Sequence, residues 1–140
     1  MSIEFPLLTK HTPLGPLNYP KIPVGVRTTA GYRTYRFLID TGADFSLAPA
    51  RLALEIGHNW AALAETRVTG VEQGRVRARL GVLPVRIEDV ELEVRCLFMV
   101  AEKPLFILGR ADFLDHFTLT IDSRQRKVVL RVQSDVTGVT

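Results

Sequence analysis

A single cysteine in 140 residues, Cys96, has no partner for an intrachain disulfide and no companion thiols for a structural zinc site. It lies in the apolar run Cys96-Leu97-Phe98-Met99-Val100, where a free cysteine behaves as a small buried hydrophobe. The histidines, His11, His58 and His116, stand apart from one another without a metal-ligand spacing, so no metal site is expected. No stretch approaches the roughly 18 apolar residues of a membrane span. The segment Met1-Ser2-Ile3-Glu4-Phe5-Pro6 lacks the basic start and long apolar centre of a secretory signal. A soluble, cytoplasmic protein with no membrane partner is the expectation. There is no P-loop, no Gly-x-Ser-x-Gly elbow, no dinucleotide fingerprint and no internal repeat.

Charge of one sign is lacking too. The 18 Lys and Arg against 15 Asp and Glu leave a net +3, and the basic residues are interspersed with acids. The densest group, Arg124, Arg126, Lys127 and Arg131, sits beside Asp122 and alternates with apolar residues, as the wet face of a strand does. No nucleic-acid partner is expected. The length holds one domain, and it divides into a Pro-rich N-terminal arm (1–20), a folded domain (21–133) and a frayed polar tail (134–140).

Short apolar runs broken by turn signals give an all-β fold class with one or two short helices. Strands are expected over Lys21–Thr28 and Tyr32–Asp40, joined at Thr29-Ala30-Gly31. Others follow over Arg67–Val71, Arg75–Leu80, Leu83–Ile87 and Leu92–Val100, then at Phe106–Leu108, and last over Thr118–Asp122 and Lys127–Val132. Pro49–Ile56, stopped by Gly57, and Ala111–Phe117 read as short helices. Residues 1–20 are expected to be irregular. Phe37-Leu38-Ile39 is expected to be buried on both faces.

The informative segment is Phe37-Leu38-Ile39-Asp40-Thr41-Gly42-Ala43-Asp44. A carboxylate directly after three apolar residues, followed by Thr-Gly-Ala, lies where a buried strand turns sharply into a loop. Gly42 allows close backbone approach, and the Thr41 hydroxyl can fix the turn. By themselves these residues also fit a plain turn in which Asp40 caps its own backbone. Further on, Phe106-Ile107-Leu108-Gly109-Arg110 precedes the second helix.

Asp-Thr-Gly-Ala after a hydrophobic strand, with Ile-Leu-Gly-Arg before a helix, resembles the paired motifs of aspartic proteases, and the single-domain length is similar to that of the retropepsins. The resemblance extends over about residues 20–132. It implies a small closed β-barrel-like fold, with Asp40, Thr41 and Gly42 as the catalytic turn. It implies that Ala43, Asp44, Leu38, Gly70, Val71 and Ile107 contact substrate, and that Gly109 and Arg110 support the site, with Arg110 paired to Asp44. Val68-Thr69-Gly70-Val71-Glu72-Gln73-Gly74 stands where the family has its mobile flap. From its residues alone, 68–76 is equally an ordinary surface hairpin.

Acid-protease chemistry needs two carboxylates sharing one proton, and this chain has one Asp-Thr-Gly. Asp122 and Asp135 are not followed by Thr-Gly. The resemblance therefore implies a homodimer with one Asp40 per subunit. It would cleave an extended peptide by activating water, with no cofactor. The alternative is a non-catalytic dimeric module of the same fold that binds or scaffolds peptides.

Overall fold

The computed structural model describes residues 1–68 and 76–133. In chain order the strands are β1 (Ser2–Pro6), β2 (Leu8–Thr12), β3 (Gly15–Tyr19), β4 (Lys21–Thr28), β5 (Gly31–Ile39) and β6 (Ser46–Pro49). The helix α1 (Ala50–Ile56) follows, then β7 (Ala64–Val68), β8 (Val76–Ile87), β9 (Val90–Met99), β10 (Ile107–Leu108), β11 (Phe117–Asp122) and β12 (Lys127–Val132). Single 3-10 turns lie at Trp60–Ala62 and Leu114–His116. No helix among the described residues is long and apolar enough to cross a membrane.

The alternation in β4 sends Ile22, Val24 and Val26 inward, each essentially inaccessible to water. Each such side chain contributes about 1.5–3 kcal/mol by leaving water. Thr28 closes the strand by donating its hydroxyl to Gly31 O at 2.6 Å while accepting the Ala30 N–H. Gly31, at φ +97°, supplies the left-handed residue that this tight connection to β5 needs.

Strand order β4-β5-β10-β6-β9-β8 returns to β4 through Gly25 opposite Arg86 and Val26 opposite Val85. The six strands thus form a closed barrel, the arrangement that the family resemblance implies. A side chain at Gly25 would sit 3.3 Å from Arg86 O, so the glycine lets the seam close. Phe37, Leu83, Val85, Val94 and Phe98 fill the interior with the β4 residues. A second sheet, β1-β12-β11, covers one side through Ile3, Phe117, Val128 and Leu130.

Several local expectations are corrected. Residues 1–20 are not irregular: β1 pairs with β12, β2 pairs with β3, and Ile3 and Leu7 are buried. Proline spacing misled there, because Pro6, Pro13 and Pro16 fall at strand ends and in the turn, where a missing N–H costs little. The expected strands Arg75–Leu80, from Val76 on, and Leu83–Ile87 belong to one long strand, β8, which runs through Gly81, while Arg75 lies outside the described residues. The expected helix over Ala111–Phe117 is only the 3-10 turn Leu114–His116, because Asp112 takes φ +65°, outside any right-handed helix. Pro49 ends β6 and caps α1 from outside, and Gly57 at φ +104° closes the helix as expected. Leu38 is half-buried whereas Phe37 and Ile39 are buried.

Candidate active site

Asp40 follows the last residue of β5, at the point where that strand is gripped on both sides. On one side Ile39 N donates to Pro20 O at 2.9 Å, continuing the antiparallel β4 register. On the other, β10 runs parallel to β5, with Ile107 opposite Leu38 and Leu108 opposite Ile39. Leu38 N donates to Phe106 O at 2.8 Å, and Asp40 N to Leu108 O at 3.0 Å. The backbone of Asp40 is therefore fixed by a segment far away in sequence.

The chain then turns. Ala43 N donates to Asp40 O at 3.2 Å, and Gly42 N donates to Asp40 Oδ1 at 2.8 Å, which aims the carboxylate. Thr41 and Gly42 are exposed, and Asp40 is half-buried. The loop is strapped down from above by the second motif. Arg110 N donates to Ala43 O and Ala111 N to Asp44 O, both at 2.9 Å. Gly109 is buried, and a Cβ there would lie 2.6 Å from Phe45 O and 2.7 Å from Ala43 O. Only glycine lets the strap approach so closely.

Arg110 forms an ion pair with Asp44. Both side chains are largely exposed, so the pair orients the loop more than it stabilises the fold. Ile107 lies between Leu38 and Leu47 on neighbouring strands. It packs on a small apolar cluster of Leu47, Ala78 and Met99 together with Leu97 and Leu105. Gly70 and Val71 lie outside the described residues.

Three further contacts at the site have weak or no sequence signals. Ser46 is buried and its Oγ accepts the Gly109 N–H at 3.1 Å, a polar residue inside the apolar stretch Phe45–Pro49 that could have been noticed. Arg95 on β9 donates its backbone N–H (3.0 Å) and Nε (2.7 Å) to Asp112 Oδ2, and Nη2 (3.2 Å) to Oδ1. Its guanidinium also lies 5.4 Å from the Phe45 ring centroid. The Arg95 side chain, followed by its backbone N–H, holds the Asp112 carboxyl below its ordinary range. Nothing local in the sequence pairs those two residues. Among the described residues no group of three or more His, Cys, Asp or Glu side chains is placed to hold a metal ion.

A turn aiming one carboxylate from the end of a strand, locked beneath a glycine-arginine strap, is accompanied by a family match. Residues 24–111 match the family described as aspartyl protease. The chain belongs to the aspartyl protease family. The matched stretch contains Asp40, the Gly109-Arg110 pair and nearly the whole barrel. Among solved structures, the fold is similar to a retropepsin-like aspartic protease from Rickettsia conorii, with TM-score 0.63 and 20% identity over 93% of this chain and 91% of that one. It is also similar to the retroviral protease-like domain of Ddi1 from Leishmania major, with TM-score 0.58 and 16% identity over 84% of this chain and 96% of that one. At such identities the likeness is one of fold, and the fold is retropepsin-like. No protein with a curated description matches the sequence.

Proposed function

We propose that this aspartyl protease family member is a homodimeric endopeptidase in which Asp40 of two copies forms one catalytic dyad. The observation that carries the reading is the Asp40 turn itself. Its carboxylate is aimed by the Gly42 N–H at the end of a braced strand, and the Thr41-Gly42 backbone beside it is open. A chain with one such turn supplies half of the pair the chemistry needs. A two-fold axis between two Asp40 turns completes it.

In that arrangement an ionised Asp40 takes a proton from water, and the water oxygen attacks the scissile carbonyl carbon. The partner's Asp40, protonated, donates to the carbonyl oxygen, giving a neutral tetrahedral diol. Proton transfer to the leaving nitrogen then breaks the C–N bond and releases the two peptides. The substrate lies extended across the barrel end, its backbone against Ala43 and Asp44 and its apolar side chains against Leu38 and Ile107. The family resemblance assigns substrate contact to Gly70 and Val71 as well. Gly109 and Arg110 keep the Asp44 loop in place.

The test is peptide cleavage by Asp40→Asn, which retains the shape of the side chain and the Gly42 hydrogen bond. Turnover is expected to fall by at least about 10⁴-fold, the scale of losing a triad or dyad member. Mixing excess Asp40→Asn chain into wild type is expected to suppress cleavage, because mixed dimers hold one functional carboxylate. Peptide binding without any turnover by the wild type would favour a binding module instead.

A further inference from the structure

Ser46 places a hydroxyl where the fold otherwise packs hydrocarbon. It opens β6, is wholly inaccessible to water, and is followed by buried Leu47, Ala48 and Pro49. Among the described residues Ser46 and Thr28 are the only buried polar side chains. Thr28 serves the turn between β4 and β5. A buried hydroxyl costs free energy unless it is hydrogen-bonded, and the partner of Ser46 is the Gly109 N–H at 3.1 Å.

That N–H belongs to the same peptide group as the Leu108 carbonyl. The group is planar, and in its trans form the N–H and C=O point to opposite edges. In the sheet, β10 lies between β5 and β6. On the β5 edge Leu108 O accepts the Asp40 N–H at 3.0 Å, and on the β6 edge Gly109 N donates to Ser46 Oγ. One rigid plane therefore joins the Ser46 hydroxyl to the Asp40 backbone. Ser46, Leu108 and Gly109 are all buried, which shields the Ser46 bond from water. In such an interior each hydrogen bond of a chain polarises the next. Donation from Gly109 N makes Leu108 O the stronger acceptor for Asp40. The Gly42 N–H meets the carboxylate from the loop side, so backbone and side chain of Asp40 are held by separate bonds.

We propose that Ser46 is a positioning residue for peptide cleavage, fixing through the Leu108–Gly109 peptide the backbone from which the Asp40 carboxylate projects. This inference rests on the reading of Asp40 as half of a dyad. Each copy brings its own Ser46, so a displacement in one half is repeated in the other. A misplacement of about 1 Å in reacting groups costs on the order of 100-fold in rate, so even a fraction of that shift is measurable.

Ser46→Thr and Ser46→Val add the same methyl and differ in the hydroxyl, so their comparison isolates it. Ser46→Ala, read against wild type, removes the hydroxyl without adding bulk. Per folded chain, kcat for peptide cleavage is expected to be at least about tenfold lower in Ser46→Val than in Ser46→Thr, with KM within about twofold. A dyad works over the pH range in which it holds one shared proton, and that range narrows as the two carboxylates separate. The pH–rate profile of Ser46→Val is therefore expected to be the narrower. Nitrogen–proton NMR reads the relay without substrate: the Asp40 amide proton is expected to move upfield in Ser46→Val and Ser46→Ala and to keep its wild-type position in Ser46→Thr. Val26→Ala, at a buried position opposite Arg33, at the far end of β5 from Asp40, is expected to lower stability and move none of these readings. An Asp40 resonance or a kcat that is the same in Ser46→Thr and Ser46→Val overturns the role of Ser46 and leaves the dyad standing. A raised KM with unchanged kcat assigns Ser46 to substrate binding and also overturns it. A wild type that cleaves no peptide overturns the dyad reading and, with it, the part of Ser46 in cleavage.

Discussion

Asp40 owes its direction to two glycines that do different work. Gly42 donates its N–H to the Asp40 carboxylate, and Gly109, far along the chain, makes room for the Ala43 and Phe45 carbonyls beneath the strap. Because the atoms that crowd Gly109 are backbone, no rotamer change relieves a methyl placed there. Gly109→Ala is expected to destabilise the fold by on the order of 3 kcal/mol through overpacking, measured by urea denaturation. The Asp40 turn and the Gly109-Arg110 pair are legible in the sequence because each is a short run of unusual residue types with a fixed order. Ser46 is not marked in that way. Its role as acceptor for the Gly109 N–H depends on a strand meeting that only the fold creates.

Between residues and fold stands the strap of residues 109–112, anchored at one end by the Asp44–Arg110 pair and at the other by the fork of Arg95 on Asp112. The second anchor is the firmer, with three hydrogen bonds onto one carboxylate. A carboxylate held below its ordinary range in the folded chain stabilises the fold above that range, and the contribution disappears as pH falls through the lowered value. Asp112→Asn keeps the side-chain shape and tolerates the positive φ. Its melting temperature is expected to lie below that of wild type at neutral pH, with the gap closing on acidification below the usual carboxylate range, as thermal denaturation across pH will read. Apolar alternation marked most strands correctly, since burial on one face leaves its period in the residues. It failed over 1–20, where prolines at strand ends look like breaks. It also failed over 111–117, where Phe113 and Phe117 suggest a helical face but the Arg95–Asp112 fork holds the backbone in another conformation.

At the scale of the whole molecule, the barrel was readable and the partners of its strands were not. Periodicity indicates that a strand is half-buried, but it does not reveal that β10 inserts parallel to β5 or that β1 lies against β12. The homodimeric reading makes catalysis depend on concentration. Specific cleavage activity is expected to fall on dilution with the fraction of dimer, and linking two copies in one chain is expected to remove that dependence, as measured by progress curves over a dilution series. The pairing of Leu38 with Ile107 has another consequence, in time. Contacts between segments so distant in sequence close late in folding, because the chain must first give up the freedom of the loop between them. During synthesis β5 is made long before the strand that fixes Asp40, and β1 waits for β12, the last of the described strands to be made. A chain still leaving the ribosome therefore carries the acidic turn without the frame that aims it, so that under the proposed reading the site is assembled only once the distant strands have been made.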